Sequence, residues 1–378
     1  MTETIPLSAP DITDAEIDAV TRVLRTPHLS LGPELQAFEE DFARYHDGED
    51  AVAVSSGTAG LHLALLTLEI GPGDEVIVPS FAFVAVANAV LQAGAAPIFA
   101  EIDPLTLNLD PAAVERAVTT RTRAILVVHT FGVPAQMDAL MTLARRHGLA
   151  IIEDACEAIG ARFGDAEPSR RVGTFGDLAV FGFYPNKQMT TGEGGIVLAR
   201  NFVHSGRLRT LRNQGRSPGA DWLDHAEIGY NYRLSELACA LGRVQLTRLD
   251  EMLSLRRRAA ERYAEMLSQI PGVELPPLTL SRRVISWFVY VVRLPEAVNR
   301  DRVQASLRRS GIATGRYFPP IHMQPGIRAV LRGAVIGLPI SESIARRTLA
   351  LPFFNRIELA QQSAVAAALR EAVAAELG

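Results

Sequence analysis

Lysine is almost absent from this 378-residue chain: Lys187 stands alone among 38 basic residues, and the other 37 are arginine. A composition rich in Ala and Arg replaces lysine wherever any cation suffices, which explains the missing lysines but not the survivor. Arginine cannot form a Schiff base and is never usefully deprotonated, whereas lysine can do both. The plain alternative is a leftover surface lysine. Cysteine is scarce too. Cys156 and Cys239 are too few for a disulfide framework and too far apart for a metal motif, so two buried thiols in a reducing compartment are expected. No basic excess exists: 38 Lys+Arg against 42 Asp+Glu give a net charge of -4, which excludes a global field for nucleic acid and favours small-molecule ligands. Apolar runs never reach the ~18 residues that span a bilayer, and Met1–Pro10 shows no basic segment followed by an apolar core. A cytoplasmic protein without a membrane partner is expected. Neither G-x-G-x-x-G nor G-x-x-x-x-G-K-[ST] occurs, which counts against dinucleotide and P-loop binding.

What is present reads as a large α/β protein, with 48% hydrophobic and 21% charged residues. Short apolar runs at Ala51–Val54, Glu75–Val78, Pro97–Ala100, Ala124–His129, Ala150–Glu153, Ala179–Phe183 and Ile196–Leu198 alternate with helical patterns. The helical patterns include Leu61–Leu68, Val84–Leu91, Pro111–Val118 and Met137–His147. Alternation of this kind predicts one mostly parallel seven-stranded sheet covered by helices on both faces. Thr13 and Glu16 form a capping box opening a helix to about Arg25, and Pro33–Tyr45 reads as a second helix. A long helical region runs from Leu234 to about Leu267 before the Pro-rich stretch Pro271–Pro277. Beyond it, a β-rich run at Ser286–Leu294 and helices at about Arg300–Ser310 and Leu359–Glu376 suggest a smaller α+β domain. The expected division is 1–250 and 251–378.

Three constellations carry chemistry. Lys187 lies between the strand ending near Phe183 and the glycine-dense turn Gly192–Gly195, a place where a ligand can approach closely. Asp154 closes the run before it, at the carboxyl edge where parallel sheets bind ligands; it pairs there with a cationic ring nitrogen or serves only as a helix N-cap. Ser55-Ser56-Gly57-Thr58-Ala59 joins a strand to a helix, so free amides and the helix dipole would hold a phosphate, or Ser56 is a simple cap. A lysine for an aldehyde, an acid for a pyridinium and a phosphate site together suit pyridoxal phosphate (PLP).

The chain resembles the DegT/DnrJ/StrS family of nucleotide-sugar aminotransferases, a branch of the fold type I PLP enzymes. The likeness runs through Leu31-Gly32-Pro33, Ser56-Gly57-Thr58, Gly71–Val76, Glu153-Asp154-Ala155, Thr190–Gly195, Gly229–Arg233 and Tyr317–Pro320. It implies that Lys187 condenses with the PLP aldehyde, that Asp154 partners the pyridinium, and that Gly57 and Thr58 contact the phosphate. Phe83 matches the aromatic lying over the cofactor ring, although a buried helix-face role is the simpler alternative. Asn231 matches a residue reaching the phosphate from a second subunit, which implies a homodimer with shared sites. Tyr317 and His322 lie in a segment that borders the sugar-nucleotide site in relatives. His129 reads as a satisfied core histidine, and no histidine spacing suggests a metal.

Two departures from the family pattern stand out. Gly182 replaces a phosphate-binding serine, and Glu157 stands where relatives carry His or Gln, with a protonated hydrogen-bond donor as one role for it. The resemblance implies amination of a nucleotide-linked keto-sugar with an amino acid, L-glutamate, as donor, and the Thr190–Gly195 wording leans toward C4. A PLP-dependent sugar dehydratase of the same family is one rival, opposed by Lys187 because that branch carries histidine there. A regulatory protein that binds PLP or a sugar nucleotide without turnover is another, opposed by the intact Lys187 and Asp154.

Overall fold

Each of the seven apolar runs forms a strand: β1 (Asp50–Val54), β2 (Glu75–Pro79), β3 (Ala96–Ala100), β4 (Thr122–Val128), β5 (Ala150–Asp154), β6 (Leu178–Gly182) and β7 (Gly195–Ala199). All seven lie in one sheet, ordered β1-β7-β6-β5-β4-β2-β3. β7 runs antiparallel to both neighbours, and every other adjacent pair is parallel. The computed structural model describes residues 4–166, 169–217, 219, 221, 223–331 and 337–378; the start of the Met1–Pro10 stretch lies outside them.

Period-two alternation divides the strand residues between two covered faces. Val52, Val54, Leu126, Val128, Ile152, Val180 and Val197 pack with the helices Gly57–Thr67 and Ala85–Gln92. On the opposite face, Ala51, Ala53, Phe181 and Ile196 meet the helix Pro33–Tyr45, while Ile125, Val127 and Ile151 meet Met137–His147. Burial on both faces is why these strands read as continuous apolar runs. Among the described residues no helix is long and apolar enough to cross a membrane.

The Thr13–Glu16 capping box forms as expected and opens the helix Asp14–Leu24. The long helical region does not persist as one helix. It breaks at Arg248 into Glu236–Thr247 and Leu249–Leu267. There the Arg248 guanidinium reaches Glu16 at 2.6 Å and Asp11 at 3.0 Å, anchoring the junction to the N-terminal segment. Further on, β8 (Tyr290–Arg293) and β9 (Thr348–Leu351) pair antiparallel, and Tyr263, Tyr290, Leu349, Phe353 and Leu369 build a separate core. Ile5 and Ala9 pack against that core, and the Ile5 amide donates to Gly311 O at 2.9 Å. We propose 1–250 and 251–378 as the two folding units, with this N-terminal strip exchanged onto the second.

One tertiary cap holds the start of the helix Pro33–Tyr45. Gly32 precedes the helix Pro33–Tyr45 and has no side chain with which to cap it. Glu236, 1% exposed, does so from another helix, accepting the amides of Gly32, Glu34 and Leu35 at 2.9, 2.8 and 3.0 Å. Glu236→Ala would strand these donors and is expected to lower stability by about 2–4 kcal/mol. Urea unfolding at constant slope measures this; a loss below about 0.5 kcal/mol would show that the cap is redundant.

Candidate active site

Because β5 and β6 are parallel neighbours, their carboxyl ends open on one edge of the sheet. Asp154 is the last residue of β5, Gly182 the last of β6, and Lys187 follows in the next turn. β7 runs the other way, so its first residue, Gly195, returns to the same edge beside the end of β1. From there the chain enters the helix Gly57–Thr67. Ser56 Oγ accepts the Ala59 amide at 3.1 Å and Ser56 O accepts that of Gly60 at 3.0 Å, which leaves the Gly57 and Thr58 amides without an acceptor inside the helix. The result is a cavity of about 450 Å³ lined by Gly57, Thr58, Asp154, Glu157 and Lys187, with aromatic walls at Phe83, Phe288 and Tyr317.

Lys187 projects into this space with its side chain 15% exposed. Its Nζ lies 3.7 Å from Glu157 Oε1 and 3.8 Å from the centroid of the Phe288 ring. Glu157 Oε2 accepts the Phe131 amide at 2.8 Å, so Oε1 is the oxygen facing the amine. Burial pushes the Glu157 carboxyl above its usual range; Lys187 and the Phe131 amide pull it down without cancelling that effect. Asp154 Oδ1 accepts the Cys156 amide at 3.0 Å, which fixes the carboxylate at the end of its strand. Burial and the neighbouring Asp154 charge push the Cys156 thiol well up, so it stays protonated and is no nucleophile.

The structure brings together Gly57, Thr58, Phe83, Asp154, Glu157, Lys187 and Tyr317, all on the cavity lining. Phe83 is 61% exposed rather than buried on a helix face. Two candidates lie elsewhere. His322 is off the lining; its Nδ1 meets Ser80 Oγ at 2.6 Å and its Nε2 meets Glu342 Oε1 at 3.3 Å, so both ring nitrogens are engaged by the protein. Asn231 is exposed and off the lining within its own chain. His129 is a fully buried histidine hydrogen-bonded on both nitrogens, to Glu153 and to the Ala135 amide. Sequence reasoning missed Phe288, Phe318 and Cys156. Cys156 had a signal in its position two residues after Asp154 and Phe318 in its place beside Tyr317; Phe288 arrives from a remote segment. Among the described residues no group of His, Cys, Asp and Glu is arranged to hold a metal ion.

Gly182 has a physical explanation. A Cβ built there would lie 3.2 Å from Cys156 Sγ, and one at Gly57 would lie 2.8 Å from the same atom. A serine at 182 would therefore press on Cys156, which would have to give by a few tenths of an ångström. With free first-turn amides, an acid fixed at a strand end, one amine and aromatic walls, the residues present fit PLP.

The DegT/DnrJ/EryC1/StrS aminotransferase family profile matches residues 10–370. The dTDP-3-amino-3,4,6-trideoxy-alpha-D-glucose transaminase of Streptomyces venezuelae is 41% identical over 362 residues, covering 94% of this chain and 92% of that protein. GDP-perosamine synthase of Caulobacter vibrioides is 38% identical over 369 residues, covering 97% of each. The solved structure of S. venezuelae DesV in complex with a ketimine intermediate shares 40% identity, covers 98% of this chain and 99% of that chain, and has a TM-score of 0.89.

The packing of Cys156 against Gly182 generates a double-mutant test. Gly182→Ser alone overpacks the site and is expected to cost about 1–3 kcal/mol, while adding Cys156→Ala should recover most of that loss. Strictly additive effects in thermal or urea unfolding would refute the competition for space.

Proposed function

The chain belongs to the DegT/DnrJ/EryC1/StrS aminotransferase family, and from that membership we propose that it moves an amino group from L-glutamate to the ketone of a nucleotide-linked sugar. It is a PLP-dependent sugar aminotransferase of amino-sugar biosynthesis. The observation that carries the residue assignments is the convergence of one lysine, one strand-end acid and two free first-turn amides on a single cavity.

PLP, when bound, supplies the electron sink that lets an amine pass between an amino acid and a ketone. The chain supplies binding, orientation and proton traffic. Gly57 and Thr58 would hold the phosphate at the positive end of their helix. Asp154 would keep the ring nitrogen protonated, and Phe83 would cover the ring. Lys187 Nζ would anchor the aldehyde and then carry the proton during transfer. Glu157, with its raised pKa, would present a hydrogen-bond donor from Oε1, and Tyr317 would border the sugar.

The Thr190–Gly195 wording supports C4 as the aminated carbon. A second reading, C3, is favoured by the 3-amino product in the name of the 41% identical relative. Product NMR after incubation with glutamate and a panel of UDP-, GDP- and dTDP-linked 3- and 4-keto sugars decides between them, and absence of any aminated sugar would overturn the reading. Two unpaired cysteines support a reducing, cytoplasmic setting.

Lys187→Arg should preserve charge yet abolish any borohydride-reducible PLP adduct. With one lysine in the chain, a pyridoxyl-lysine peptide from the wild type must contain residue 187. An adduct retained by the arginine variant would remove Lys187 from this role.

A homodimer with shared sites is supported by the exposure of Asn231 in the same stretch of chain as Ile228, 90% exposed, and Leu223, 80% exposed. Without a serine at 182, an amide from a second subunit would carry more of the phosphate contact. Asn231→Ala should weaken PLP retention. Mixing inactive Lys187→Ala chains with Asn231→Ala chains should restore activity, because one site of each heterodimer keeps both residues. An active monomer in sedimentation, or heterodimers without recovery, would contradict the shared site.

A further inference from the structure

The helix Leu249–Leu267 passes from one hydrophobic cluster into another: Leu249 and Met252 pack beneath the sheet, whereas Ala259, Ala260, Tyr263 and Leu267 belong to the core of the second unit. Arg256 lies at the crossing and is 1% exposed. A charge so deeply placed ordinarily has a carboxylate partner. Among the described residues Arg256 forms no ion pair, and Asp11, the acid that acts on it from a distance, is bonded to Arg248 and Arg356. Its donors go to main-chain carbonyls instead. Nη2 donates to Lys187 O at 3.1 Å, and Nη1 donates to Trp287 O at 3.2 Å and Phe288 O at 2.9 Å. Nε has no hydrogen-bond partner. Burial draws the guanidinium pKa down to about 9, the reverse of what a stabilising ion pair would do.

Those carbonyls belong to the two segments that meet at the amine. Phe288 places its ring against Lys187 Nζ, and Trp287 holds φ at +52°, a region L-residues seldom adopt. Next to Lys187, Gln188 Nε2 donates to Glu157 O at 2.7 Å and Ser286 Oγ at 3.0 Å, drawing the same segments together. A planar guanidinium reaches diverging acceptors from one fixed position, which a compact ammonium cannot do. We infer that Arg256 is a positioning residue for Lys187: it locks the lysine backbone and the Phe288 segment into one unit, so that the amine meets the cofactor aldehyde from a single direction. This inference rests on Lys187 being the PLP lysine.

The test uses the full chain with saturating PLP, borohydride reduction and mass spectrometry of the residue 187 peptide, alongside the glutamate half-reaction. Arg256→Lys and Arg256→Met should each lower the adduct yield at least threefold and slow the half-reaction at least tenfold, with a change in KM for glutamate below threefold. Tyr263→Phe serves as the control. It removes a buried 2.9 Å hydrogen bond to Pro352 O from the same helix without touching the lysine turn, and should leave adduct yield unchanged. If Arg256→Met does not accumulate as folded protein, Arg256→Lys decides alone. Wild-type yields in the Arg256 variants, or an equal loss in Tyr263→Phe, would overturn the positioning role. Absence of adduct in the wild type would instead overturn the functional reading beneath it.

Discussion

The cavity depends on how the last two residues of β5 divide their work. Alternation along a strand sends Glu153 and Asp154 to opposite sides, and only one of them can face a ligand. Glu153 is fully buried and accepts the amides of Gly173, Phe175 and Gly176 at 2.8, 2.7 and 2.6 Å. His129 completes it. The Ala135 amide donates to His129 Nδ1 at 3.1 Å, which leaves Nε2 to carry the proton toward Glu153 at 3.0 Å. Burial alone would raise the Glu153 pKa; the His129 bond and the amides outweigh it and hold the carboxyl below its usual range. The strand end is thereby fastened in one register. A slip by a single residue would exchange the structural acid for the one at the cavity.

Two carboxyls three residues apart then share the cavity in different surroundings. Burial and like charge from Asp154 both push Glu157 upward. An ionised pair would repel across a small space, and a raised Glu157 relieves that repulsion. Its other oxygen is tied to Phe131, and the same turn is bonded to the Phe288 segment through Gly132 O and the Ser286 amide at 3.1 Å. The amine, its facing acid and the aromatic beneath it are therefore held by one connected set of hydrogen bonds.

Most of the large domain was legible in the sequence because strands buried on both faces leave continuous apolar runs, and helices with one wet face leave periodic ones. Lys187 was legible through composition, Asp154 through its place at a strand end, and Gly57 and Thr58 through the strand-to-helix turn. What could not be read depends on contacts between remote segments. Nothing local marks Phe288 as a neighbour of Lys187. Arg256 sits in the run Arg256-Arg257-Arg258, which reads as a solvated helix face; only its phase relative to Ala259 and Ala260 turns it inward. Gly182 reads as a lost phosphate contact in the sequence alone; the close packing of Cys156 against it comes from another strand end. The break at Arg248 was hidden because helical periodicity continues across it, and the carboxylates that hold that residue come from over two hundred positions earlier.

The near-absence of lysine separates structural cations from chemical ones. Arg212 bonds Glu39 and Ala53 O beneath β1, Arg248 joins two helices to Asp11 and Glu16, and Arg256 ties three carbonyls. Each role uses a rigid fork with several donors, and each asks only for charge and hydrogen bonds. Arginine meets those demands as well as lysine or better. Condensation with an aldehyde followed by proton transfer asks for a nucleophilic nitrogen able to lose and regain a proton, which guanidinium is not. The one lysine of this chain stands where the fold brings together the strand-end acid Asp154, the buried Glu157 carboxyl and the free first-turn amides of Gly57 and Thr58.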